Sequence, residues 1–253
     1  MKIIAIGDIH GRDCWKDIVA KHPEADKYIF LGDYVSTHEQ IPGYKQCENL
    51  LSILSFKIQN PDRVILLRGN HDIQHLDYYW AGCSGYDNTV AKYMNSISDE
   101  FIENTQWIYI DNNIIYSHAG ISEVWFKNTK LTDINQINEL EPCELFGFTP
   151  CKLSDYTGIS NTQPLTWIRP WTLLDCAYGD YTYVVGHTST RVGICNIKEE
   201  AIKSYKESAL YNDSDDDKKT IERYNKSNDI WVCDALPKEY LIVDDGKISI
   251  GKL

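Results

Sequence analysis

The sequence predicts an α/β fold made of two sheets, and the order of its apolar runs carries that prediction. In the first third, strand-like and helix-like stretches alternate: a strand over residues 2–6, a helix over 12–21, a strand over 28–31, a helix over 44–59 and a strand over 64–67. A βαβαβ order favours parallel pairing through right-handed crossovers and leaves the carboxyl ends of the strands on one edge. A polar, aromatic stretch runs on to Tyr86, followed by a helix over 87–104 and a strand over 114–116. Helical patterns come next at 122–127 and 133–141, and then a long connection rich in Pro, Cys and Thr reaches Trp167. Long connections in compact domains often build binding walls. Tyr78, Tyr79, Trp80, Trp167 and Trp171 are candidates for such a wall, with packing as the plainer role. A strand at 183–185 opens the last third, and β-like runs at 230–233, 240–243 and 248–250 are expected as antiparallel strands that complete the second sheet.

Five short blocks stand directly behind strand-like runs: Gly7-Asp8-Ile9-His10-Gly11, Gly32-Asp33-Tyr34-Val35, Gly69-Asn70-His71-Asp72, Ser117-His118-Ala119-Gly120 and Gly186-His187-Thr188. Taken singly, each has a plain reading as a helix cap, a polar histidine or a turn. Together they deliver oxygen and imidazole donors from five separated positions to one edge, the layout of a two-metal hydrolase site. Hard divalent cations prefer such donors, and a pair of them about 3.5–4 Å apart needs one carboxylate that reaches both. Asp33 is the natural bridge. Asp8 and His10, two residues apart, leave the same face of an extended segment and can hold the first ion. Asn70, His118 and His187 remain for the second.

The ordered set GDIHG, GDYV, RGNHD, SHAG and GHT resembles the calcineurin-like metallophosphoesterases. LLRGNH, from Leu66 to His71, and SHAG look like the phosphoprotein phosphatase branch, in particular its bacterial and phage serine/threonine phosphatases. The resemblance runs over residues 1–190 and extends weakly beyond them. It implies a four-layer αββα sandwich, two mixed sheets flanked by helices, holding two divalent ions: manganese first, with iron, zinc, magnesium or nickel as alternatives. It places Asp8, His10 and Asp33 on one ion and Asp33, Asn70, His118 and His187 on the other. It also makes His71 the proton donor to the leaving group. Arg169, in Thr166-Trp167-Ile168-Arg169-Pro170, matches a phosphate-holding arginine, so that Asn70, His71 and Arg169 would meet the substrate phosphate. A guanidinium suits that task because its planar donors pair bidentately with phosphate.

One departure bears on mechanism. The second block of the family continues as GDxVDRG, with an Asp that orients the catalytic His and an Arg that grips phosphate, whereas here Val35 is followed by Ser36-Thr37-His38. Both helpers are missing, which leaves Arg169 as the main phosphate clamp and His38 or a neighbour as a stand-in for the Asp. Asp72 stands where a Glu is common.

The 253 residues, 43% of them hydrophobic with 7 Trp and 17 Tyr, suit one catalytic domain over residues 1–253 with ample core. Thirty-seven acids against 25 bases give a formal charge of −12, which disfavours bulk attachment to nucleic acid or anionic lipid. Eight cysteines without a C-x-x-C pair, and a first strand that begins right after Met1, point to free thiols in the cytoplasm. Residues 198–226 read as a charged, solvated insertion, part helical and part mobile. An EF-hand over Asp213 to Tyr224 is rejected, because Lys218 falls where Gly is required and Tyr224 where the bidentate Glu belongs.

The expected activity is hydrolysis of phosphomonoesters, phosphoserine and phosphothreonine in proteins above all, by in-line attack of a metal-bridging hydroxide. Two alternatives stand beside it. One is hydrolysis of dinucleoside polyphosphates or other nucleotides; the other is a metal-binding interaction module with little catalysis.

Overall fold

The computed structural model describes residues 1–76, 83–147, 160–190, 192–208 and 213–253. Its amino-terminal part is β1 (Lys2–Ile6), α1 (Trp15–Lys21), β2 (Lys27–Phe30), α2 (Gly43–Gln59) and β3 (Val64–Leu66), the expected alternation. Next come α3 (Asn70–Ile73), α4 (Asn88–Ser96), α5 (Ser98–Asn104), β4 (Ile108–Asp111), β5 (Ile114–Ser117), α6 (Glu123–Thr129), a 3₁₀ turn (Ile134–Glu139) and α7 (Glu144–Gly147). The remainder is α8 (Pro170–Cys176), β6 (Thr182–Val185), β7 (Cys195–Asn196), α9 (Ile197–Lys206), α10 (Asp215–Lys226), β8 (Ile230–Val232), β9 (Glu239–Asp244) and β10 (Lys247–Lys252).

Among the described residues ten strands form two five-stranded mixed sheets, in the orders β10-β9-β1-β2-β3 and β4-β5-β6-β8-β7. β1, β2 and β3 run parallel in the first, as β5, β6 and β8 do in the second. Side chains that alternate along the strands fill two cores. Ile3, Ala5, Ile29, Ile65, Leu241 and Val243 of the first sheet meet Ile114, Tyr116 and Val184 of the second in one buried cluster between them. The alternate residues, such as Ile4, Ile6 and Phe30, belong to an outer core with Leu50, Ile53 and Leu54 of α2. Burial on both faces explains why the central strands read as unbroken apolar runs.

Several expectations are corrected. The late runs do not all complete the second sheet: β8 joins it, but parallel to β6, while β9 and β10 add antiparallel strands to the first sheet at the free side of β1. The β9–β10 hairpin closes through Asp245 and Gly246, both at positive φ (46° and 79°), the geometry of a tight two-residue turn. The helix expected over 87–104 is two helices broken at Ile97, among Ser96, Ile97 and Ser98, which are poor helix formers. The pattern at 133–141 is the short 3₁₀ turn. Residues 198–226, expected as a charged, part-helical insertion, hold α10 and all of α9 but its first residue, and most of their described positions are exposed or partly so. Ile197 and Ala201 are buried, and so is Asp217, which caps α10 with Ser214 and accepts from the Tyr205 hydroxyl at 2.8 Å.

Candidate metal centre and active site

Asp8 and His10 follow β1, Asp33 follows β2, Asn70 and His71 open α3 behind β3, His118 follows β5 and His187 follows β6. Parallel strands from both sheets therefore bring the six candidate ligands and His71 to one edge. The backbone there is unusual: His10, Asp33 and His187 have φ of 46°, 50° and 63°, a left-handed conformation uncommon outside glycine. Such strain persists only where the surroundings over-determine it, and it concentrates at functional sites. Here the surroundings are explicit. The His10 N–H donates to the Asp33 carbonyl at 2.6 Å. The buried Asp72 carboxylate accepts the N–H groups of Asp33 (2.9 Å), Tyr34 (2.7 Å) and Gly69 (2.9 Å), so it ties the second loop to the third. Burial pushes its carboxyl up, and those three N–H donors act against that push.

Two groups of donors result, Asp8, His10 and Asp33, and Asp33, His118 and His187, each with ligand atoms within 4.8 Å of one another. Asp33 belongs to both. The tautomer of each histidine follows from its outer partner, because a carbonyl can only accept. His118 donates from Nδ1 to the Leu31 carbonyl at 2.7 Å, and His187 donates from Nε2 to the Trp167 carbonyl at 3.1 Å. His10 donates from Nδ1 to the Val35 carbonyl at 3.2 Å. The second nitrogen of each ring is left with a lone pair aimed inward.

Asn70 sharpens the picture. Its Nδ2 donates to the Cys83 sulfur at 3.2 Å, which turns Oδ1 toward His118 Nε2 at 2.8 Å and His187 Nδ1 at 3.0 Å. With both imidazoles neutral, three lone pairs meet here, an arrangement that asks for a cation. His118 Nε2 also lies 3.5 Å from Asp33 Oδ1, and His10 Nε2 lies 3.9 Å from Asp33 Oδ2 and 4.0 Å from Asp8 Oδ2. Protonation is disfavoured as a remedy. Burial first, then His118 and Arg169, pushes His187 well below its ordinary value. Burial, with Asp234 and Asp33 adding to it, pushes the Asp8 carboxyl well up. Burial acts on Asp33 as well, yet the surrounding His118, His71, His10 and His187 hold it down at about 2. The oxygen and imidazole donors of the basin fit hard divalent ions.

The centre opens into a cleft of about 390 Å³ lined by Asp8, His10, Asp33, Asn70, His71 and His187 together with Cys83, Ser84, Trp167, Arg169, Ser189 and Asp234, with His118 buried behind them. Arg169 stands at the start of α8, where its Nη1 donates to the His187 carbonyl (3.2 Å) and the Thr188 hydroxyl (3.1 Å). Burial lowers its pKa, while Asp8, Asp234 and Asp33 oppose that shift. His71 meets His10 edge-on at 5.2 Å, and burial lowers its pKa too. A roomier groove of about 550 Å³ lies between α1 and α2, lined by Arg12, Lys16, Lys45 and Glu48 among others, but it gathers none of the candidate ligands. Chemistry, not size, selects the smaller cleft.

Some placements differ from expectation. His38 does not stand in for the missing Asp; its Nε2 lies 3.2 Å from the Ser84 hydroxyl. Gln74 instead occupies the position beside His71 Nδ1, at 3.3 Å. Of the proposed wall, Trp167 lines the cleft, Trp171 is half exposed on α8, and Tyr78, Tyr79 and Trp80 lie outside the described residues. Asp234 was missed by sequence reasoning. It follows β8 as Asp8 follows β1, so a strand followed by an acid was the available signal; no flanking glycine or histidine drew attention to it.

A sandwich of this kind, with candidate metal donors gathered at the carboxyl ends of strands from both sheets, is the architecture of the calcineurin-like phosphoesterases. The chain belongs to the calcineurin-like phosphoesterase family, whose family model matches residues 1–208. It is 32% identical over 126 residues to the serine/threonine-protein phosphatase 4 catalytic subunit of Saccharomyces cerevisiae, covering 46% of this chain and 38% of that one. To the corresponding subunit of Kluyveromyces lactis it is 30% identical over 142 residues, covering 53% and 41%. The chain thus spans about four-tenths of the length of these curated relatives. Among solved structures, a cold-active protein-tyrosine phosphatase of a psychrophilic Shewanella has a TM-score of 0.59 at 16% identity, covering 99% of this chain and 77% of that one. A Saccharomyces cerevisiae protein serine/threonine phosphatase similar to human PP5 has a TM-score of 0.55 at 13% identity, covering 100% and 80%. These likenesses establish the fold. Among the described residues no helix is long and apolar enough to cross a membrane, and no disulfide joins the described cysteines.

Proposed function

We propose that the chain hydrolyses phosphomonoesters with a pair of divalent ions, manganese first among them, and that phosphoserine and phosphothreonine in proteins are its substrate class. The convergence of Asn70 Oδ1, His118 Nε2 and His187 Nδ1 beside the shared Asp33 carboxylate is the observation that carries this reading. Asp8, His10 and Asp33 would hold one ion, and Asp33, Asn70, His118 and His187 the other. When bound, the ions supply Lewis acidity, drawing charge from phosphate oxygens and acidifying water. The residues of the chain do the rest. Arg169, half-buried at the cleft wall, pairs with phosphate oxygens and orients the ester for in-line displacement. Trp167 shields the floor from bulk water, and His71 presents Nε2–H to the oxygen that departs. The names of the yeast relatives favour phosphorylated proteins over nucleotides as substrates. Residues 1–253 act as one catalytic unit, since β9 and β10 extend the sheet that begins with β1.

The test is hydrolysis of p-nitrophenyl phosphate and of phosphoserine peptides by metal-stripped protein reloaded with Mn²⁺, beside Asp33→Asn. The expected result is metal-dependent turnover with two ions per chain, and at most one ion and no turnover in Asp33→Asn. Saturation at one ion in the unmodified protein, or turnover indifferent to chelator, would falsify the proposal.

A further inference from the structure

The family resemblance places a carboxylate after Val35 to orient the histidine; this chain has Ser36 there, and an amide has taken over the contact. Gln74, one helical turn beyond His71, is buried with 4% of its surface exposed. Its Nε2 donates to the Ser36 hydroxyl at 2.8 Å and lies 3.3 Å from His71 Nδ1 and 3.4 Å from the Ser84 carbonyl. Its Oε1 accepts the Cys83 N–H at 2.9 Å. These backbone partners decide which end of the amide faces the ring. The Cys83 N–H can only donate and so takes the oxygen, while the Ser84 carbonyl can only accept and so lies on the nitrogen side. The Ser36 hydroxyl at 2.8 Å takes one of the two amide hydrogens, and the other faces His71 Nδ1 and the Ser84 carbonyl, of which Nδ1 is the nearer, so that Nδ1 is placed as an acceptor.

We infer that Gln74 is a positioning residue that holds His71 as the Nε2–H tautomer and makes turnover depend more steeply on the leaving group than a carboxylate partner would. The inference rests on the phosphomonoesterase reading. In ROPO₃²⁻ + H₂O → ROH + HPO₄²⁻, water forms the new P–O bond and the departing oxygen keeps the electron pair of the broken one. A ring whose Nδ1 is already an acceptor offers that oxygen the hydrogen bond of its single N–H, and the departing oxide completes its protonation from solvent. Aryl oxides tolerate this and alkyl oxides tolerate it poorly, so aryl phosphates are turned over faster than alkyl phosphates.

The test compares the unmodified protein with Gln74→Glu, which restores a carboxylate, and Gln74→Met, which keeps the bulk without the hydrogen bonds. Two readouts are used: the ratio of kcat/KM for phenyl phosphate to that for phosphoserine peptide, and the ¹⁵N signals of His71 in the Zn²⁺-loaded protein. The unmodified protein is expected to show a protonated Nε2 and a bare Nδ1. Gln74→Glu should shrink the aryl-to-alkyl ratio by about tenfold or more, a modest part of the ~10²–10⁴ available to general acid catalysis. A purely structural Gln74 would change stability or KM for both substrates together and leave the ratio alone. An Nδ1–H tautomer in the unmodified protein, or an unchanged ratio in a folded Gln74→Glu, overturns the inference. If Gln74→Glu does not fold, loss of the fixed tautomer in Gln74→Met supports the inference and its retention overturns it. The spectrum needs no turnover, so a failure of the hydrolase reading is separately visible as absent turnover with either ester.

Discussion

Adding one methyl group at Gly69 should dismantle the metal centre without changing any donor. A Cβ there would lie 2.1 Å from Asp33 Oδ1 and 2.5 Å from the Asp33 nitrogen, against an ordinary van der Waals separation of ~3.5 Å. Asp33 would have to retreat by roughly 1 Å, yet its N–H is held by Asp72 at 2.9 Å and its Oδ1 by the His71 N–H at 2.9 Å. The φ of Gly69 is −102°, so alanine meets no backbone strain and the effect is confined to that contact. Overpacking of this kind costs about 1–3 kcal/mol of stability. Displacement of the carboxylate shared by both donor groups should weaken metal affinity by at least the ~10–100-fold seen when groups supporting a ligand are lost. Gly246→Ala is the control: nothing lies within 4 Å of its added Cβ, but its φ is 79°, so it should lose ~1–2 kcal/mol to backbone strain and keep both ions. Metal content after equilibration with graded Mn²⁺, together with urea unfolding, reads both quantities. A folded Gly69→Ala that binds two ions with unmodified affinity would refute the placement of Asp33 at the centre.

Arg169→Ala should lower kcat/KM for phosphomonoesters by about 10–100-fold, the worth of a charge-assisted hydrogen bond, with part of the loss in KM. Steady-state kinetics that match the unmodified protein would return Arg169 to a purely structural bond with His187 and Thr188. Asp217→Ala should cost about 1–2 kcal/mol of stability, because its buried carboxylate accepts the Ser214 N–H at 2.9 Å and the Tyr205 hydroxyl at 2.8 Å. Its turnover should be unchanged, and parallel loss of activity in the folded variant would show that α9 and α10 reach the active site.

The six candidate ligands were legible because each is a local signal, a short polar block at the exit of a buried strand, and parallel strands send their exits to one edge. Asp8, His10, Asp33, Asn70 and His187 line the same cleft, and His118 sits behind it, 2.8 Å from Asn70 Oδ1. What could not be read depends on contacts between distant segments. The apolar alternation of β9 and β10 suits the edge of either sheet, and only the free side of β1 decides between them. Gln74 looked like an ordinary polar residue, since its role depends on the backbone of Cys83 and Ser84 to orient its amide. In residues 198–226 the density of charge hid the few buried positions, Ala201 and Asp217 among them.

Acid count and metal geometry part company within this one chain. Asp213, Asp215, Asp216 and Asp217 crowd one short stretch, yet each described contact there is ordinary: Asp215 and Asp216 face Lys218 and Lys219 at 3.7 and 3.1 Å, and Asp217 caps a helix. The strand-edge site has fewer carboxylates, but their environment differs in kind. Carbonyls of Leu31, Val35 and Trp167 take the outer N–H of each histidine, and Cys83 takes the amide N–H of Asn70, so with neutral imidazoles the inward-facing atom of each of these four side chains is an acceptor. A fold that only had to satisfy hydrogen bonds would turn the Asn70 amide around, since one rotation would place Nδ2 between the two imidazoles. The Cys83 contact holds the less favourable arrangement in place. Holding acceptors against one another is unfavourable in an empty basin and favourable around a cation, which is why the orientation of one neutral amide says more about this site than the charge of the chain.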